Sequence, residues 1–233
     1  MNSTRLVAAL FAAALLGVSS LAFAQAAEPN LAHGQKLFSL CQQCHGDAGE
    51  GNQSVGAPAI AGMPSWYVKE QLRKFSVGLR GKHFDDLEGM RMRPMSLWLV
   101  ASRHAADHLN GATPDPSQVD PNIVDVAAYV ETLPATTPPA TVSGDVANGE
   151  ASYALCGSCH GLKGEGSEPQ SAPPLAGQSD WYVLRSLEKY KAMTRGYDGP
   201  NDPFGATMAG MSNVLADDQA MRDVVAYIAT LKK

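Results

Sequence analysis

Two cysteines set apart by two residues and followed at once by a histidine occur twice in the chain. Cys41, Cys44 and His45 lie within "LCQQCHGDAGEG", and Cys156, Cys159 and His160 within "LCGSCHGLKGEG". Two thiols at this spacing can form thioether bonds to the two vinyl groups of one porphyrin, and the next side chain, an imidazole, is then held beneath the iron. The motif is the sequence form of c-type haem attachment, and its duplication implies two covalently bound haem c groups. Other uses of the cysteines account for less. A zinc site would require the two pairs to converge from separate segments, and a dithiol centre or a disulfide leaves both histidines unexplained.

An iron bound by one histidine has either a sixth ligand or an open face, which separates electron carriers from catalytic haems. Met92 and Met208 occupy matching places in the chain, each with a second methionine three residues on, Met95 and Met211. A thioether opposite the imidazole stabilises ferrous iron and raises the potential, which suits electron transfer. A lone methionine is better read as core filling, but a pair duplicated in register favours ligation. The expected iron ligands are therefore His45 with Met92 and His160 with Met208, and Met95 and Met211 are the alternatives to the two methionines. Pro58 and Pro173 follow the motifs at equal spacing; a backbone carbonyl there could accept the free ring N–H of each histidine, and shaping of the loop is the equal alternative. Trp66, Tyr67, Trp181 and Tyr182 could pack on haem edges, and Arg80 and Arg195 could pair with a propionate, although ordinary core and surface roles are open to all six. No catalytic residue is assigned.

The elements that position these residues are repeated. A shift of 115 superposes the two Cys-His motifs and also brings Gly34, Pro58, Trp66, Tyr67, Arg80 and Gly81 onto Gly149, Pro173, Trp181, Tyr182, Arg195 and Gly196. Beyond Gly81 the shift is 116, where "MRPMSLWL" meets "MAGMSNVL"; it then falls to 98, where "DVAAYVETL" meets "DVVAYIATL". The first half thus carries 18 extra residues after Leu99. Each unit reads as a helix before the cysteines, a Gly-rich loop, a second helix, a Met-bearing segment and a closing helix, with apolar residues at helical spacing. The class is all-α. Ser65 and Ser179 or Asp180 are expected as N-caps. Gly34 and Gly149 permit a close helix crossing, with Tyr129 and Tyr227 as the residues expected to meet them. The expected boundaries are residues 28–135 for the first domain, with its insertion near 100–120, 136–144 for a linker rich in Pro and Thr, and 145–233 for the second.

Residues 1–24 carry Arg5, an apolar run and a small-residue ending at Ala22-Phe23-Ala24, the pattern of a secretory signal peptide. Its removal predicts an exported periplasmic chain with no transmembrane segment. Loss of Arg5 leaves 17 cations against 23 anions, which argues against nucleic acid as a partner. That acidic balance favours a partner with a basic docking surface and a salt-sensitive encounter.

The segments "GQKLFSLCQQCHGDAGEG", "PAIAGMPSWYVKEQL" and "DVAAYV", with "GEASYALCGSCHGLKGEG", "PPLAGQSDWYVLRSL" and "DVVAYI", resemble the tandem dihaem class I cytochromes c, most closely the cytochrome c4 family. The resemblance implies two small helical domains, each wrapped round one haem with His/Met iron, that shuttle electrons in the periplasm, often toward terminal oxidases. The insertion, which holds His104 and His108 four residues apart, departs from that pattern and reads as a partner-docking or haem-shielding loop. The leading expectation is a non-enzymatic electron carrier between redox partners such as a terminal oxidase, a quinol-oxidising complex or a periplasmic dehydrogenase. The alternatives are an electron-accepting subunit of a periplasmic dehydrogenase and, behind it, a dihaem enzyme such as a peroxidase or a sulfur-compound dehydrogenase.

Overall fold

The computed structural model describes residues 28–109 and 119–232, with the side chains of 102–109 excepted. The expected signal peptide lies outside the described residues, as do the side chains of His104 and His108 and the rest of the insertion. The first unit comprises α1 (Leu31–His45), a single 3₁₀ turn (Gln53–Val55), α2 (Ser65–Val77), α3 (Leu87–Leu109) and α4 (Pro121–Thr132). The second repeats the order with α5 (Val146–His160), α6 (Asp180–Lys191), α7 (Pro203–Ser212) and α8 (Asp218–Ile228). Among the described residues there is no strand. Two isolated bridges, Asn52 with Ala57 and Ser167 with Ala172, pin the Gly-rich loop in each half.

First and last helices cross in each unit at a glycine. A Cβ on Gly34 would sit 2.2 Å from the Asp125 carbonyl oxygen and 2.9 Å from the Tyr129 Cβ; on Gly149 it would sit 2.0 Å from the Asp223 carbonyl and 2.9 Å from the Tyr227 Cβ. Only a residue without a side chain lets the backbones approach so closely. The crossing is tied at its ends by matched carboxylates: Asn30 N–H donates to Asp125 and Asp145 N–H to Asp223, each at 2.8 Å. Phe38 then stacks obliquely on Tyr129 and Tyr153 on Tyr227, with ring centres 5.4 and 5.2 Å apart.

Two separate apolar cores result. Leu37, Phe38, Leu72, Leu99, Ile123, Val126 and Val130 form the first; Tyr153, Val183, Leu184, Leu187, Met221, Val224, Val225 and Ile228 belong to the second. The insertion's first part lengthens α3 to Leu109, whereas α7 stops at Ser212.

Of the expected serine caps, Ser179 keeps its position and Ser65 is corrected. Ser65 is the first helical residue of α2, behind Pro64, and Ser179 stands at the cap of α6 without a side-chain bond to it. Proline at the cap supplies the extended backbone that precedes a helix but has no acceptor to offer. Asp180 turns backward instead. Its carboxylate accepts from the N–H groups of Thr141, Val142 and Trp181 and from the Thr141 hydroxyl, so the interdomain segment is fastened to the second domain.

Candidate haem sites

Each Cys-His motif closes a helix. Cys41, Cys44 and His45 stand at i, i+3 and i+4 near the end of α1, and Cys156, Cys159 and His160 do so on α5, so all three side chains share one face. His45 Nδ1 lies 2.8 Å from the Pro58 carbonyl oxygen and His160 Nδ1 2.8 Å from that of Pro173. The carbonyl can only accept, so Nδ1 carries the proton and the Nε2 lone pair is left free. Burial pushes both imidazoles below their ordinary value, against the pull of the carbonyl. Each ring is thus neutral, oriented and ready to act as a ligand.

The thiols are not activated nucleophiles. Burial pushes Cys41 up to about 11 and raises Cys156 as well, the reverse of a dithiol redox pair. Among the described residues no three of His, Cys, Asp and Glu converge to hold a metal ion, so the two pairs do not form a zinc site.

The methionines pack against the same cores as the cysteines. Met92 packs with Cys41, Ile60 and Val68 against the first core, whereas Met95 is 37% exposed. Met208 packs with Cys156 and Leu175 against the second core. Cys156, Cys159, His160, Met208 and Met211 all line one largely apolar cavity of about 390 Å³. Met63, Tyr67 and Lys74 of the first domain close one side of it.

Between the domains lies a buried polar cluster. Arg80 hydrogen-bonds Tyr182 of the other domain, and Arg195 hydrogen-bonds Tyr67. Arg80 Nη1 and Arg195 Nη2 also converge on Gln71 Oε1, at 2.7 and 3.3 Å. Burial raises both phenols. Tyr67 stays pushed up to about 12, but the two guanidiniums draw Tyr182 below its ordinary value. Neither guanidinium has an ion-paired carboxylate among the described residues, and Arg80 Nε is buried without a partner. Two buried cations short of an anion suit the carboxylates of a haem. Paired thiols, oriented neutral imidazoles, an apolar cavity and unbalanced guanidiniums therefore fit haem c in chemistry.

Sequence reasoning missed the charged residues that join the domains: Lys74, Asp86, Glu88, Arg185, Lys189 and Asp202. Their signal was in the repeat, since Lys74 and Lys189 match at a shift of 115, and Asp86 and Asp202 at 116.

The cytochrome c family model matches residues 31–134 and again 146–232. The chain belongs to the cytochrome c family. It is a dihaem class I cytochrome c, with two covalent haem c groups and an electron-carrier function. It is 28% identical over 93% of its length, and 94% of the relative's, to the thiosulfate dehydrogenase electron acceptor of Stutzerimonas stutzeri. To cytochrome c4 of Azotobacter vinelandii it is 27% identical over 85% of its length and 88% of the relative's. Among solved structures it resembles a thiosulfate dehydrogenase (TsdBA) from Marichromatium purpuratum, with a TM-score of 0.63 and 26% identity; 86% of this cytochrome is covered, and it spans only 40% of that longer chain.

Proposed function

We propose that this cytochrome passes single electrons between periplasmic redox proteins through two His/Met-ligated haems. In this reading Cys41, Cys44, Cys156 and Cys159 would be the thioether anchors, and His45 with Met92 and His160 with Met208 would hold the two irons. The observation that carries it is that one thioether and one motif cysteine pack against the same apolar core in each domain, Met92 and Cys41 in the first and Met208 and Cys156 in the second. Iron in such a site supplies reversible one-electron chemistry.

The protein's own residues keep each site closed. Pro58 and Pro173 hold the imidazoles in one tautomer, the two apolar cores exclude water from the ligands, and Arg80, Arg195, Tyr67 and Tyr182 supply donors where the domains meet. Met63, Tyr67 and Lys74 of the first domain line the second domain's cavity, which supports passage of electrons within one chain that would hold two haems.

A second reading, an electron-accepting partner of a thiosulfate dehydrogenase, is favoured by the relatives of that name and by the TsdBA resemblance. Export rests on the leader-like residues 1–24, and no described helix is long and apolar enough to cross a membrane.

The test is the visible spectrum of the purified protein. Two low-spin haems per chain, a full-strength Met-to-ferric-iron band in the red and no cyanide complex at rest are expected. Met92→Ala and Met208→Ala should each remove about half of that band. A high-spin component in the unmutated protein would overturn the closed-site reading. Stoichiometric reduction by a thiosulfate dehydrogenase, at a rate that falls with salt, would select the second reading.

A further inference from the structure

Two lysine–aspartate pairs, one buried and one partly buried, cross between the domains in mirrored fashion. Lys74 of α2 donates to Asp202 at 2.7 Å, and Lys189 of α6 donates to Asp86. In the repeat the two lysines are equivalent, and so are the two aspartates.

Each aspartate has a second task. Asp202 Oδ1 accepts the Gly205 N–H at 2.9 Å, and Asp86 Oδ1 accepts the Gly89 N–H at 3.1 Å, so each caps the helix that carries the methionine six residues on. The oxygen that takes the cap bond is also the one that takes the lysine. Space at this point is limited to glycine: a Cβ on Gly89 or Gly205 would come within 2.0 or 2.2 Å of the aspartate Oδ2. Each domain's own loop presses on the same turn, since a Cβ on Gly81 or Gly196 would meet the Gly89 or Gly205 carbonyl at 2.2 Å.

The first turn of each methionine helix is thus held between its own domain and a lysine of the other. Lys74 is only 8% exposed and Asp202 4%, and a buried ion pair of this kind loses far more from removal of one partner than it adds to net stability. Burial raises the Asp86 carboxyl, but Lys189 outweighs it and holds the group below its ordinary value.

We propose that Lys74 and Lys189 are positioning residues acting across the domain boundary: Lys74 sets the seat of Met208 through Asp202, and Lys189 sets that of Met92 through Asp86. The proposal rests on the His/Met reading above. An adhesive role alone would leave both methionines equally affected by loss of either lysine. A positioning role moves the methionine of the opposite domain.

The experiment uses the full-length holoprotein in its ferrous state, in which each iron-bound methionine methyl gives its own strongly upfield proton resonance. Met92→His and Met208→His assign the two signals. Lys74→Met is expected to shift or broaden the Met208 signal and leave the Met92 signal in place, with loss of up to half of the red band in the ferric form. Lys189→Met should do the converse, and Lys74→Arg should restore the native pattern. Asp202→Asn keeps an acceptor for Gly205 while removing the charge that holds Lys74, and should reproduce the Lys74→Met spectrum in a fold less disturbed. A shift confined to the lysine's own domain, equal shifts in both, or none in either Lys74→Met or Asp202→Asn would overturn the positioning role alone. Methyl signals that survive both histidine substitutions would overturn the axial reading and the proposal with it.

Discussion

The two methionine helices begin alike and end differently. Asp86 and Asp202 cap them, Ser96 and Ser212 are fully buried at matching places, and Met92 and Met208 face the cores. Beyond that α7 stops, while α3 continues to Leu109 through Pro94, where α7 has Gly210. A proline inside a helix removes one backbone bond and crowds the carbonyl four residues back. The outward side of α3 is also distinct. Met90, Pro94, Leu97, Trp98 and Ala101 are exposed at helical spacing, whereas α7 exposes Phe204, Thr207 and Gly210 and gives way to exposed Asn213 and Val214. The repeat is preserved on the face that holds the methionine and abandoned on the face turned to solvent, so the domains share a haem site and differ in what they present to other proteins.

Substitutions at matched positions test how far the likeness extends. The largest effect is expected at the helix crossings: Gly149→Ala and Gly34→Ala each force a methyl into a carbonyl and should cost about 3 kcal/mol. The approach is closer at Gly149, so thermal unfolding should show the greater loss there.

Asp180→Ala comes next and has no counterpart, because the matching residue is Ser65. Loss of its bonds to Thr141 and Val142 should cost about 2 kcal/mol and expose the segment before α5 to protease, while the Ser65→Ala protein stays close to native.

Acid should reveal the same asymmetry. Burial raises the Asp180 carboxyl, but the N–H groups of Val142 and Thr141 prevail and hold it below its ordinary value. A depressed carboxylate contributes fully above its unfolded pKa of about 3.9 and loses that contribution as the pH falls through the lower folded value. A pH series of denaturation curves should therefore show the wild type losing stability over that acid range, and Asp180→Ala losing less. Asp86 behaves with the same sign through Lys189.

The smallest effect is expected at the solvent face of α3. Trp98 is 49% exposed, and Trp98→Ser should change stability by no more than about 0.5 kcal/mol, measured by denaturant titration.

Much of this was legible in the sequence because it is local or repeated. The cysteine and histidine spacing, the Pro58 and Pro173 acceptors, and the meeting of Gly34 with Tyr129 and of Gly149 with Tyr227 follow from short motifs or from register between the halves. The helix starts at Ser65 and Ser179 were placed to within a residue, but the capping chemistry was not, since propensity cannot say that Asp180 would serve the chain before it. The interdomain contacts were illegible for a different reason: Lys74 and Asp202 lie 128 residues apart, and Lys189 and Asp86 lie 103 apart. No local period links such partners. They become visible only when the register of the repeat is read as a statement about the surface between the halves.

The fastening of Thr141 and Val142 to Asp180 has a consequence for assembly. Since Leu133 and Ala135 lie against Gly49 and Gly62 of the first domain, it shortens the free tether to the residues between Thr136 and Thr141, and a tether of that length keeps the halves at an effective concentration on the order of millimolar. Lysine–aspartate contacts that would be a feeble dimer interface between separate chains are then saturated. The molecule is in effect a dimer that cannot be diluted, and cleavage near Pro138 would return its two halves to the law of mass action.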